Sequence, residues 1–260
     1  MKRIIYIVLM MLLPMCAIAN DSIPVTSAAK TETSKKAGDD AYSKGNFSEA
    51  VGIYEAVIKE NGATKQLYYN LGNAYFREHN IGKAILYYER ALKLDPLDED
   101  AKANLEYANS LIKDEVVEEP ELFFVTWWHA LVDIMGIDAW ALTAVVFFVL
   151  ALVGAGLYFV NRNRVVRRVG ITASVLFLFF VIVANLAAVT MYSRVNDEGK
   201  AIVLKEEVSL MNAPGASKVL IKVHEGRKVT ITDDSVDKWI EVELEDGTVG
   251  WVKSDDIERI

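Results

Sequence analysis

The chain has one cysteine, Cys16, in 260 residues. A disulfide framework and a cysteine-built metal cluster are therefore excluded. Histidine is almost as scarce: His79, His129 and His224 fall in three separate stretches. His129 and Asp133 stand four apart, but with no third ligand nearby they read as a surface hydrogen bond rather than a metal pair. Basic charge is short too, with 28 Lys+Arg against 36 Asp+Glu and a net charge of −8. That balance lacks the basic face of a nucleic-acid binder, so no nucleic-acid partner is expected. Catalytic motifs are missing: no G-x-x-x-x-G-K-[ST] phosphate loop, no G-x-S-x-G elbow and no H-E-x-x-H zinc helix. The carboxylate pairs Asp39-Asp40, Asp233-Asp234 and Asp255-Asp256 are neighbours in sequence and read as solvated surface or turns. Nothing matches a nucleophile to a base. The expectation is a chain that is not an enzyme and that holds neither metal nor cofactor.

Apolar sequence is what the chain has in quantity, 52% of its residues, and it is gathered into three blocks. Ala139 to Val160 and Val169 to Tyr192 carry no charged residue. Each is long enough, at 1.5 Å per residue, to cross a hydrocarbon core of roughly 30 Å as a helix. Backbone in lipid must bond internally, and a helix does so. Between them Arg162, Arg164, Arg167 and Arg168 stand with no acidic residue. The positive-inside rule places that turn, 161–168, in the cytoplasm. The third block opens the chain. Lys2 and Arg3, an apolar run from Ile4 to Met15, and Ala17-Ile18-Ala19 make a secretory signal with cleavage expected after Ala19. Lipidation of Cys16 is the alternative, against which Met15 fills a position where a small residue is preferred. Both signals place residues 20–138 and 193–260 outside the cytoplasm, in the periplasm of a two-membrane bacterium. The expected location is the inner membrane, crossed twice, with the lipid bilayer itself as a partner.

Residues 20–33 are small and polar and read as a disordered tether. Over 34–113 a period of 34 emerges. Tyr68, Leu71, Gly72, Tyr75, Ala84, Tyr88, Ala91 and Pro96 lie on the spacing of a tetratricopeptide repeat, and Gly38, Ala41, Phe47, Ala50 and Tyr54 fall on it one period earlier. The stretch resembles that family, with two repeats and a capping helix from about Asp98 to Lys113. The resemblance implies a peptide-binding concave face carrying Tyr42, Tyr69, Asn70, Asn73, Phe76, Arg77 and Asn104. Lys35 and Asn70 match the carboxylate clamp of its chaperone-type branch. Asp39, Asp100 and Asn104 replace that clamp's other donors, and two acids there would repel a terminal carboxylate.

After an acidic linker at Asp114 to Glu121 comes a stretch, 121–137, in which Phe124, Trp127, Trp128, Leu131, Val132 and Met135 share one helical face. It reads as an amphipathic helix in the membrane interface, with Trp127, Trp128 and Trp140 at the boundary. From 201 to 260 five short β-rich runs are separated by turns such as Pro214-Gly215 and Asp246-Gly247. They suggest a small barrel. Gly226, Val229, Trp239, Val242, Asp246-Gly247 and Gly250-Trp251-Val252 resemble the bacterial SH3 pattern. Lys253 and Asp256 replace the proline and tyrosine of polyproline-binding SH3 domains, which argues against that ligand. Trp251 reads as core, while Trp239 suits core and binding surface equally.

The expected fold class is thus a multidomain α + β membrane protein, with helical tetratricopeptide repeats, two transmembrane helices and a small SH3-like β-barrel. The order of segments, with Trp127-Trp128-His129 and His224-Glu225-Gly226, resembles the BatE-type members of the Bat (Bacteroides aerotolerance) family. That resemblance implies partners that are membrane proteins with von Willebrand A-type domains, beside a cytoplasmic MoxR-type ATPase, and a role in envelope stress. It makes the chain a scaffold. The competing expectation is a cell-wall module whose barrel grips peptidoglycan and whose repeats recruit a wall enzyme. The small residues Ala151, Gly154, Ala155 and Gly156 are expected to let the first span pack on partner helices.

Overall fold

The computed structural model describes residues 35–114, 122–197 and 199–260. The expected signal, the tether and most of the acidic linker lie outside them. The chain divides into two compact units: one holds residues 127–193, the other joins the N-terminal helical region to residues 194–260.

The helical region begins with α1 (35–43) and continues through α2 (Phe47–Asn61), α3 (Lys65–Arg77), α4 (Ile81–Leu94) and α5 (Glu99–Asn109). Polar residues start the last three. Thr64, Asn80 and Asp98 each accept from the backbone amide three residues on, which satisfies one orphan donor of the first turn. Pro96 follows the end of α4, where it cannot continue a helix. The two repeats pack by the same device. A Cβ on Gly38 would lie 2.5 Å from the Tyr54 ring, and one on Gly72 would lie 2.7 Å from the Tyr88 ring. Glycine is what lets each ring lie flat against the neighbouring helix.

The C-terminal region is an antiparallel sheet of seven strands: β1 (Lys200–Val203), β2 (Glu207–Met211), β3 (Val219–His224), β4 (Lys228–Asp233), β5 (Trp239–Glu243), β6 (Val249–Lys253) and β7 (Ile257–Arg259). Two strands, β1 and β7, go beyond the five expected. They pair with one another and extend the order to β3-β2-β6-β5-β4-β1-β7. The sheet therefore has two edges, β3 and β7, and does not close as a barrel. Its core is Val208, Leu210, Val223, Val229, Val242 and Val252.

Helix α4 covers the β1–β7 side, a common way of blunting a sheet edge. Ile202 of β1 is fully buried in the hydrophobic cluster of the repeats, with Leu204 and Ile260 against the same cluster. The Gly82 amide donates to Glu225 Oε1 at 2.7 Å, so a carboxylate sits at the positive end of α4. Gly226 has φ +89°, and a Cβ there would meet Ile85 at 2.9 Å and Ile112 at 3.1 Å. Lys228 pairs with Glu89 at 2.7 Å, and Arg90 with Glu258 at 2.9 Å. Asp114 accepts from the His224 amide at 2.8 Å. Repeats and sheet are one body.

The other unit contains most of α6 (Phe123–Val132), all of α7 (Ile137–Val160) and most of α8 (Arg164–Val195). Helices α7 and α8 are long and apolar enough to cross a membrane. Their large side chains, among them Leu142, Val146, Phe179, Ile182 and Val189, are mostly exposed. The seam between the two helices is built from small residues. Ala144, Ala151 and Gly154 of α7 and Gly170, Ser174, Val181, Ala184 and Ala187 of α8 are buried, at intervals of three, four or seven as in a coiled coil. Ser174 Oγ donates to the Ala151 carbonyl at 2.9 Å, and Phe147 stacks on Phe180 at 5.2 Å. Ala151 and Gly154 thus serve the hairpin itself, while Gly156 faces open space. A Cβ on Gly154 would stand 2.8 Å from the Gly170 carbonyl oxygen, a backbone atom that cannot rotate away. Gly154→Leu is expected to lower the thermal stability of the detergent-solubilised hairpin by roughly 1–3 kcal/mol. Gly156→Leu, the control, should leave it unchanged.

Candidate functional site: a groove on the repeats

First helices of the repeats, α1 and α3, and the capping α5 line the concave face. At its centre is Asp39. Its carboxylate accepts from Lys35 Nζ at 2.9 Å, one helical turn away, from Tyr54 Oη at 2.7 Å and from Asn70 Nδ2 at 2.9 Å. Burial raises the Asp39 carboxyl, but these hydrogen bonds outweigh it and hold the group below its ordinary value. A recess beside it is lined by Asp39, Tyr42, Tyr54, Asn70 and Asn73.

A second network lies next to the first. Asn73 Oδ1 accepts from Tyr88 Oη at 2.7 Å and from Asn104 Nδ2 at 2.9 Å, and Asn104 Nδ2 also reaches Tyr69 Oη at 3.1 Å. Arg77 is exposed and its guanidinium lies 4.7 Å from the Phe47 ring centre, while Phe76 packs against Tyr107. The seven residues expected on this face divide accordingly. Tyr42, Asn70 and Asn73 meet at the recess, and Asn104 donates to both Tyr69 and Asn73. Phe76 and Arg77 are held by ring contacts. The repeat spacing marks Tyr54 and Tyr88 as positions of the array but not their hydroxyls, which donate to Asp39 and to Asn73, one in each network. The available signal was tyrosine where phenylalanine would fill the same gap. A recess lined by an acid, two amides and two tyrosines is polar enough to suit a peptide.

Burial pushes Tyr87 up to about 12, and it also holds Tyr54, Tyr75 and Tyr88 above an ordinary phenol, with Asp39 adding to it for Tyr54 and Glu55 for Tyr75. The folded state keeps protons that the unfolded chain would release. Stability from these groups is full below about pH 10 and is lost as pH rises toward 12. Phenolate absorbance should thus show a delayed group of tyrosines that titrates only with loss of helix. All 11 tyrosines titrating together with helix intact would contradict the burial.

On the sheet, Trp239 pairs with Lys253 and Trp251 with Glu241. Alternation places Trp239, Glu241, Val249 and Trp251 on one face. Both tryptophans are half-buried and lie outside the core cluster. Trp251, expected in the core, instead stands across from Met211 and Glu241 on the outer face. The reason is register: Gly250 and Val252 take the inward positions of β6.

The topology residues are placed as follows. Arg162 is in the turn, whereas Arg164, Arg167 and Arg168 are in the first turns of α8, with Arg167 over the Tyr158 ring at 4.7 Å. Trp127 is 72% exposed, and Trp128 Nε1 donates to Thr190 Oγ1 at 3.3 Å. Trp140, expected at the membrane boundary, is 5% exposed, and its Nε1 donates to the Val132 carbonyl at 2.9 Å. It closes the bend between α6 and α7, because an indole N–H is satisfied there without water.

With this geometry established, comparison with known families places the two ends of the chain. Residues 35–99 match the tetratricopeptide repeat. Residues 210–257 match the bacterial dipeptidyl-peptidase Sh3 domain. The repeat match takes in α1 to α4, and so both halves of the Asp39 network. The Sh3 match begins beyond β1 and stops at the first residue of β7, so the strands against the repeats lie almost wholly outside it. Comparison with curated proteins finds no match for the chain.

Proposed function

We propose that this chain is a membrane-anchored adaptor without catalytic activity, whose repeats hold a protein partner outside the cytoplasm. One observation carries the proposal: the groove-bearing repeats and the sheet form one body, and the chain entering that body at Arg194 leaves α8, a helix long and apolar enough to span a bilayer. A tetratricopeptide array supports protein–protein binding, and the polar recess supports a peptide ligand. The resemblance to BatE-type Bat proteins narrows the partners to inner-membrane proteins with von Willebrand A-type domains, in an envelope-stress complex. Affinity purification of the intact chain in mild detergent, with co-purifying proteins identified by mass spectrometry, tests this. Recovery of such proteins, reduced by Arg77→Glu, is expected. Recovery of wall fragments or wall enzymes alone overturns it.

A cell-wall reading has its own support in the Sh3 match over 210–257 and in the outward Trp251. In that case the intact chain would sediment with purified peptidoglycan and lose this on Trp239→Ala/Trp251→Ala. The isolated 201–260 segment is unsuited to the assay, since Ile202 is buried among the repeats.

A further inference from the structure

The body made by repeats and sheet holds another recess, with no residue in common with the groove. Its walls are α4, the last two residues of α8, and the strands β1 and β4. Four cations line it, Lys93, Arg194, Lys200 and Lys228, against the side-chain carboxylates of Glu89 and Asp197 and the carboxylate of Ile260. The bonds of Lys93 and Lys228 within the protein leave donors over. Lys93 Nζ donates to the Asp197 carbonyl at 2.8 Å and to an Ile260 carboxylate oxygen at 3.1 Å. Lys228 Nζ donates to Glu89 Oε1 at 2.7 Å, and Lys200 Nζ stands 3.6 Å from Asp197 Oδ2. An ammonium carries three N–H donors, so Lys93 keeps one and Lys228 two for a ligand. Leu92, Pro96 and Val195 add an apolar flank. Cations with donors to spare around an open recess suit a phosphate group.

The position of Arg194 selects the source of that phosphate. Arg194 is in the last turn of α8. Along the same helix it stands about 39 Å from Arg168 at 1.5 Å per residue, close to the roughly 40–45 Å of a bilayer with its headgroups. A span with Arg168 at one headgroup layer has Arg194 at the other.

We propose that this recess binds the phosphate of an anionic phospholipid, with the glycerol and upper acyl chain against Leu92, Pro96 and Val195. The proposal rests on the reading of α8 as a membrane span. A free phosphate offers the same charge but has no use for the apolar flank.

The test uses the full chain, reconstituted into phosphatidylcholine vesicles with and without phosphatidylglycerol, floated, and then extracted for native mass spectrometry. Wild type should float with both and retain phosphatidylglycerol over phosphatidylcholine. Lys93→Gln/Lys200→Gln should float as well and retain roughly twenty-five-fold less phosphatidylglycerol, at about fivefold per lysine near a membrane surface. Glutamine at 93 still donates to a carbonyl, and an unchanged thermal midpoint checks the fold. Lys200→Gln alone, at the exposed start of β1, gives the fivefold arm if the double variant unfolds. Equal retention of the two lipids, or equal retention by wild type and variant, overturns the site. Binding of inorganic phosphate with no lipid preference overturns the lipid source. Failure to float overturns the span instead.

Discussion

Valine in place of Gly226 is expected to destabilise repeats and sheet together, by about 2–5 kcal/mol. Two costs combine there. Gly226 has φ +89°, a left-handed conformation that a β-branched residue resists. The added Cβ would also press on Ile85 at 2.9 Å and Ile112 at 3.1 Å, and Ile85 is 1% exposed in the repeat core. Gly215→Val separates the two costs, because Gly215 has φ +69° with nothing near its Cβ position. It should lose only the backbone part, about 1–2 kcal/mol. Hydrogen exchange read by mass spectrometry checks the coupling. In Gly226→Val, protection should fall by the same factor in α4 and in β1 and β4. Loss confined to the sheet, with α4 unchanged, would mean that the modules fold separately.

Gly72→Val carries the second large effect. Its Cβ would lie 2.7 Å from the Tyr88 ring. Tyr88 is 2% exposed, and its hydroxyl is fixed to Asn73, so the ring has nowhere to turn. Overpacking of about 1–3 kcal/mol and loss of one hydrogen bond of about 0.5–1.5 kcal/mol predict a total of roughly 1.5–4.5 kcal/mol in chemical denaturation. The clash and the bond share one ring, so the effects should not add. Gly72→Val/Tyr88→Ala should cost less than the sum of its parts, and strict additivity would show that the two residues do not touch.

The repeat was legible because it is periodic. Gly38 with Tyr54, and Gly72 with Tyr88, recur one period apart, and the structure joins each pair in the same way. The apolar spans were legible because composition alone marks them. The docking of repeats on sheet was not. It depends on Glu225 reaching the Gly82 amide and on Ile202 entering a cluster made by residues far away in sequence, and neither leaves a period or a motif. Strands β1 and β7 were missed for a related reason: at four and three residues they are too short to show alternation. At the groove, residue types predicted the face but not its wiring. Asn73 was expected on the face, and nothing in the sequence shows that its oxygen accepts from Tyr88 and Asn104. For Trp140 likewise, no sequence pattern announces the bond from its indole to the Val132 carbonyl.

The central claim, that the concave face of the repeats holds a protein, is tested most directly by photo-cross-linking in cells. A photoreactive side chain would replace Tyr42 or Arg77 on that face, Trp251 on the sheet, or Lys59, exposed on α2, as the control. Adducts to a protein from positions 42 and 77, absent from position 59, are the predicted result. No adduct from either groove position, with cross-links to wall material from position 251 instead, would contradict the account and make the sheet the binding surface.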